Sequence, residues 1–398
     1  MARHVAARFD VRLTLHSLES PMPAKKMPFR ADQVGSLLRP AELMAARAKK
    51  AKGEITPAQL REVEDHHIEI AVKKQEATGI QAITDGDFRR TSWSGDFLTS
   101  IGGVIQESIP TGHQQQEVTP VGGVVKNWQP PTPKTVGKLQ WPKGGIQHRD
   151  FDFLKDATMR TPKVMVPSPS MLHFRGGRGG VDASIYPDME TFFADLTAVW
   201  RNEIMDLAAI GCRYLQLDDT NLAYLCDPLL RDRVKGLGED PDKLPHLYAR
   251  FINDAIKDRP ADMAITVHMC RGNSLSRGHA QGGYEPVAEA MFNELKIDGF
   301  FLEYDDARSG DFRPLRFVPK GKRIVLGIIT SKFGELEKKD DLKRRLDEAA
   351  KFMPMDQICI SAQCGFASHT GGNLLTEDQQ YAKLRLAVEV AEEVWGNN

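Results

Sequence analysis

A chain of 398 residues, 41% hydrophobic and 27% charged, has the composition of an ordinary globular protein with enough apolar mass for one large domain or two smaller ones. Its formal net charge of −1 argues against a general electrostatic grip on nucleic acid or on a membrane surface, so a small-molecule ligand is expected. Five cysteines, an odd number scattered over a long chain, imply no disulfide framework.

Met1 to Pro28 carries basic residues but no continuous apolar stretch and no small-residue cleavage site. It reads as a flexible N-terminal arm, neither a secretory signal nor a membrane span, and a cytoplasmic location is expected. Phe29 to Pro40 reads as a short strand reaching a turn at Gly35 and Ser36, with Pro40 opening a helix. A second helical pattern starts at Thr56-Pro57, runs through Leu60, Val63, Ile70 and Val72, and stops at Gly79. Gly79 to Arg90 is a strand ending in a carboxylate-rich turn at Asp85 and Asp87.

From Ile101 to Arg160 the chain is rich in Gly, Pro and Gln, so regular helix is not expected there, and the interval reads as hairpins or a lid. The alternation of strand and helix then resumes. Strands are expected at Lys163–Pro169, Arg213–Asp219, Met263–His268, Gly299–Glu303, Arg323–Thr330 and Gln357–Ala362. Helices are expected at Met189–Ile210, Leu244–Ile256, near Glu285–Leu295, at Glu335–Phe352 and at Thr376–Val394, the last with Thr376 as N-cap.

About eight strands, mostly continuous in apolar character and mostly separated by helices, fit a (β/α)8 TIM barrel spanning 29–398, with a long insertion around 101–160 after the second strand. A doubly wound sheet is the alternative, but no glycine-rich nucleotide fingerprint follows an early strand. In a barrel, catalytic groups gather just past the strand C-termini, all at one mouth. Ser36, Asp87, Asp218, His268, Cys270, Glu303 and Cys364 each directly follow a predicted strand.

Within that set, Ile265-Thr-Val-His-Met-Cys270 runs a strand into His-x-Cys, a spacing that sends both side chains the same way. Imidazole and thiolate are both good zinc donors, and two Cys, one His and one carboxylate make an acceptable tetrahedral set. The bland alternatives are a buried Cys beside a core His, an ion pair for Glu303, and plain packing for Cys364. Cys212, Cys226 and Cys359 are assigned to packing.

Val34-Gly-Ser36, Asp85-Gly-Asp87, Leu215-Gln-Leu-Asp-Asp219, His268-Met-Cys270, Leu302-Glu303 and Gln363-Cys-Gly365, in that order, resemble the catalytic half of cobalamin-independent methionine synthase. The resemblance implies a zinc ion held by His268, Cys270, Glu303 and Cys364, with Glu303 the ligand loosened by substrate sulfur. It implies methyl transfer to homocysteine from methyltetrahydrofolate or from a corrinoid. Asp87 and Asp218 are similar to the carboxylates that hold the homocysteine amine, and the Ser36 turn to the segment that holds its carboxylate.

The chain departs from the family on the methyl-donor side. Asp87 stands where the family commonly has Glu. Phe174 stands where it stacks a Trp on the pterin. Ile328-Ile-Thr-Ser331 lacks the family's Asp-x-His-type proton donor, leaving Thr330 or His369 as substitutes, and the second barrel of full-length members has no counterpart in this chain. An alkyl transferase acting on another thiol, such as coenzyme M with an epoxide, is the alternative function. A zinc-stabilised binding barrel is a third.

Overall fold

The computed structural model describes residues 27–107, 132–273 and 275–396. The expected N-terminal arm therefore lies outside the described residues except for its last two. Those two are not loose: Arg323 donates to the Pro28 carbonyl at 2.6 Å, and Met27 packs against Phe29 and Tyr214.

The strands are β1 (Ala82–Ile83), β2 (Gly102–Glu107), β3 (Thr132–Gln140), β4 (Thr161–Pro162), β5 (Val164–Pro167), β6 (Tyr214–Asp219), β7 (Ala264–Met269), β8 (Gly299–Glu303), β9 (Arg323–Ile329) and β10 (Ile358–Ala362). β5 to β10 form one parallel sheet in chain order, and β4, immediately before β5, pairs in parallel with β1. The 29–34 segment closes the ring. It bridges β10 through Ala31 and Ile360, with the Asp32 amide donating to the Ile360 carbonyl at 3.0 Å. It reaches β1 through the Gln33 side chain, which donates to the Ala82 carbonyl at 2.6 Å. The result is the TIM barrel, eight parallel segments deep in apolar side chains.

Local signals explain the wrapping helices. Thr56 and Thr376 each cap their helix through a reciprocal capping box, with Gln59 and Gln379 respectively, satisfying amide groups that a helix start leaves open. The second of these helices, Glu377–Trp395, ends on Gly396 in the left-handed region.

One reading is corrected and two helices are added. The interval 101–160 does contain the β2–β3 hairpin, but it also contains a helix, His148–Ala157, where none was expected. That helix forms because Phe151 and Leu154, three residues apart, bury one face, while the Gly and Pro content lies earlier in the interval. Residues 108–131 of the interval lie outside the described set. After β6 the chain forms the short helices Asn221–Tyr224 and Pro228–Gly236, which the apolar pattern did not announce.

At the end of the barrel where the strands begin, Lys163 and Asp32 are both buried and paired at 3.2 Å. The other Asp32 oxygen accepts the Tyr214 hydroxyl at 2.7 Å and the Phe29 amide at 3.0 Å. The Lys163 ammonium also lies 3.9 Å from the Phe301 ring centroid. One polar knot thus ties the first, third and fourth barrel strands, and its carboxylate is fully used. Lys163→Ala is expected to strand the Asp32 charge and cost roughly 3–5 kcal/mol of stability, read as a lower denaturation midpoint.

Candidate functional site

At the opposite end, one ligand atom from each of His268, Cys270, Glu303 and Cys364 lies within 4.8 Å of all the others. Period two on β7 sends His268 inward, and Cys270 follows one residue past the strand end, its amide held by the Asp219 carbonyl at 2.8 Å. Glu303, the last residue of β8, accepts the Arg271 amide on one oxygen at 2.9 Å. Its other oxygen, and both ring nitrogens of His268, are buried with no hydrogen-bond partner. The Cys270 and Cys364 sulfurs stand 3.5 Å apart as free thiols.

Such an arrangement is costly without a cation. Burial, then the charge of Cys364, pushes the Glu303 carboxyl up to about 7. The hydrogen bond between the two thiols, then burial, holds Cys270 well above the usual thiol range, while the same bond, helped by His268 and acting against burial, holds Cys364 well below it, so the first thiolate hinders the second. A divalent ion such as zinc fits this donor set because it satisfies the orphaned atoms and the crowded negative charge together. The other cysteines do not join in. Burial pushes Cys359 up to about 11 and Cys212 and Cys226 up to about 12, as packing residues require.

The turn carrying Cys364 is braced from the segments that follow β7 and β9 and from β9 itself. Asn273 and Ser331 both donate to the Gly365 carbonyl, at 2.9 and 3.0 Å, and the Gln363 amide donates to Ile329 at 2.8 Å. Gly365 is needed for space: a Cβ there would stand 1.9 Å from the Ser36 hydroxyl oxygen. That contact also seats Ser36 beside the four donors.

A cavity of about 260 Å³ opens beside the cluster, lined among others by Ser36, Asp87, Phe174, Asp218, His268, Cys270, Cys364 and His369. Asp218 faces His268 across the β6–β7 ladder, takes the Gln216 amide at 2.7 Å, and is pushed up to about 7 by burial. Asp87 sits in the left-handed region at φ 59°, its amide held by Asp85 at 3.0 Å, and it pairs with Arg90 at 3.2 Å. Asp87 therefore combines an ion pair with its place on the cavity wall. Phe174 meets Tyr224 edge-on, with ring centroids 6.1 Å apart.

Thr330 is not among the cavity-lining residues. Its hydroxyl donates to Asp305 at 3.0 Å and its amide to Glu337 at 2.8 Å, since the chain leaving β9 turns Ser331 inward instead. His369 does line the cavity, but burial, then the charge of Arg175, pushes its imidazole down to about 4. The free chain thus holds it neutral at pH 7. Missed from the sequence were Trp93, Arg175, Tyr224, Arg233 and His279, all on the cavity wall. Arg175 had a signal, the glycine-rich run that follows it; Arg233, inside a charged helix, had none.

A family model described as "Cobalamin-independent synthase, Catalytic domain" matches residues 175–393. Uncharacterized protein YxjH of Bacillus subtilis is 48% identical over 373 residues, 93% of this chain and 96% of that one. A 5-methyltetrahydropteroyltriglutamate–homocysteine methyltransferase of Flavobacterium johnsoniae is 22% identical over 358 residues, 87% of this chain and 40% of that one. Among solved structures, a Listeria monocytogenes protein assigned to the vitamin-B12-independent methionine synthases is 37% identical, with a TM-score of 0.73 over 93% of this chain and 99% of that one.

Cys364→Ser is expected to lose most bound zinc by metal analysis after dialysis, with the circular dichroism of the barrel kept, since the apolar core does not depend on the cluster. A pH test follows from His369. Its folded value, about 4, lies below the ordinary 6.5, so the unfolded chain protonates first as pH falls. The stability tied to the neutral ring is whole above pH 6.5 and lost between 6.5 and 4. Denaturant titrations across that window should show a shallower loss for His369→Gln than for the unaltered chain.

Proposed function

The chain belongs to the cobalamin-independent methionine synthase family, and from that premise we propose that it is a zinc-dependent methyltransferase that moves the methyl group of methyltetrahydrofolate onto the thiol of homocysteine, giving methionine. The observation that carries this reading is the convergence of His268, Cys270, Glu303 and Cys364 on one buried point beside the cavity, with ligand atoms on His268 and Glu303 still unused. Held by His268, Cys270, Glu303 and Cys364, zinc would supply the positive charge that favours thiolate over thiol at neutral pH, and two cysteine ligands would keep it from drawing off that sulfur's nucleophilicity. A corrinoid donor finds no support among the relatives, one of which is named for a tetrahydropteroyl donor.

Positioning falls to the chain's own residues. Asp218 offers a carboxylate to the homocysteine amine, and an arriving ammonium offsets the burial that holds this group up to about 7. Asp87 takes the smaller share of the amine, because its carboxylate is already engaged by Arg90. Ser36 receives the substrate carboxylate next to the cluster. Phe174 and Trp93 give the donor's flat ring apolar walls. A sulfur–carbon bond forms as the donor's nitrogen–carbon bond breaks, and that nitrogen takes up a proton. Of the two residues first considered for the proton, only His369 lies on the cavity, and it gains that capacity when negative charge offsets Arg175. All of this is assigned to one barrel, with the insertion around 101–160 contributing Gln106 to the wall.

Zinc-loaded protein supplied with homocysteine and methyltetrahydrofolate, as mono- and triglutamate, is expected to form methionine. No methionine from either donor would remove the reading. Asp218→Asn is expected to raise the homocysteine KM about tenfold or more, the worth of a hydrogen bond to a charged group, with zinc content unchanged. An equal and slight effect on both would instead favour an acceptor thiol that carries no amine.

A further inference from the structure

Two residues behind the four donors have no part in the chemistry above, Arg271 and Tyr284, and neither exposes any surface. Both grip Glu303. The β7–β8 ladder ends at the pair Met269 and Leu302, one residue before Glu303. Beyond it the Glu303 amide donates to the Tyr284 hydroxyl at 3.0 Å, the partner that a buried amide needs once a ladder stops. The hydroxyl's own proton is shared between the Glu303 and Met269 carbonyls, at 3.4 and 3.5 Å. The next amide, that of Tyr304, is back in a ladder, on the Gly327 carbonyl of β9 at 2.9 Å. Tyr284 thus splices the ends of β7 and β8 where they deliver Cys270 and Glu303.

The carboxylate is held by the other residue. The Arg271 amide donates to one Glu303 oxygen at 2.9 Å, and the second oxygen is buried with no hydrogen-bond partner. The Arg271 peptide is itself fixed, since its carbonyl accepts the His279 and Ala280 amides at 3.0 and 2.9 Å. Its side chain closes the circuit: the guanidinium carbon lies 4.2 Å from the centroid of the Tyr284 ring, a contact strengthened where water is excluded. Tyr304 meets the same ring edge-on, with centroids 5.4 Å apart. A fully buried arginine is costly as mere core filling, and here it locks together the two groups that hold one carboxylate.

We propose that Arg271 and Tyr284 are positioning residues that fix Glu303 by its backbone and by one carboxylate oxygen, so that the second oxygen alone is offered to the metal. The inference deepens the zinc reading above and rests on it. A carboxylate free to rotate can close on a metal with both oxygens and fill the position that a substrate thiol must take. Held by Arg271, Glu303 has a single contact to give up and keeps the hydrogen bond that returns it. The other donors need no such control, because a thiolate or an imidazole ligates through one atom.

The test uses the whole chain loaded with zinc, or with cobalt(II) as a spectroscopic stand-in. The readouts are metal affinity against a chelator, the visible cobalt spectrum, and the denaturation midpoint of the metal-free chain. Tyr284→Phe keeps the ring beneath Arg271 and removes the hydroxyl. It is expected to weaken metal binding roughly tenfold and to lower the intensity of the cobalt bands, as a four-coordinate ion gains a fifth donor. Arg271→Met is expected to do the same, and Arg271→Lys, which keeps a cation over the ring, to recover part of the loss. The two Arg271 variants carry the comparison by themselves where Tyr284→Phe does not fold. A lowered midpoint with affinity and spectrum both unchanged would make the pair ordinary core and overturn the proposal. If the unaltered chain takes up neither metal, the positioning role falls together with the zinc reading. If affinity and spectrum depend on Tyr284 but homocysteine and methyltetrahydrofolate give no methionine, the positioning role stands and the methyl-transfer reading fails.

Discussion

Four metal-type ligand atoms packed within 4.8 Å, at a point where water is largely excluded, is the constraint around which the rest of this chain is arranged. Three of the four side chains are anionic when bound to a cation, and bringing them together in low dielectric costs several kcal/mol unless positive charge arrives. The barrel bears that cost because its ladder leaves no freedom to relax. Cys270 and Cys364 hang from different strand ends, the first held by its amide on the Asp219 carbonyl and the second through the preceding Gln363 amide on the Ile329 carbonyl. Their positions follow from closure of the ring.

The two ends of the barrel show opposite treatments of buried charge. Where the strands begin, Lys163 and Asp32 are paired, hydrogen-bonded and stacked on aromatic rings, a closed arrangement with nothing left for a ligand. Where they end, His268 and Glu303 keep unused ligand atoms, Asp87 occupies a left-handed conformation, and Asp218 and Glu303 are both pushed up to about 7. Satisfied polar groups serve stability and unsatisfied ones serve binding, and the barrel separates the two by its length.

Within the upper cavity both signs of charge meet. Asp87 and Asp218 line it with His268, Cys270 and Cys364, and so do Arg175 and Arg233. Burial, then the charge of Arg175, holds both His279 and His369 down to about 4.

Much of this was legible in the residues alone. Apolar runs located the barrel strands because a parallel strand buried on both faces needs them, and capping residues such as Thr56 and Thr376 located helix starts because an open amide must be met within three residues. The same local logic put His268 and Cys270 on one side of a strand. It failed where local preference is weak: Phe151 and Leu154 made a helix in a stretch whose average composition spoke against one, and Thr330, one residue before the inward-facing Ser331, turned to Asp305. Only the tertiary structure decided that Gly365 makes room for Ser36, that Arg233 leaves its helix for the cavity, and that Cys364 meets Cys270 across 94 residues of chain. Periodicity records which face of an element is buried, whereas which distant groups then share a point depends on how the whole ring closes, and no window of sequence contains that.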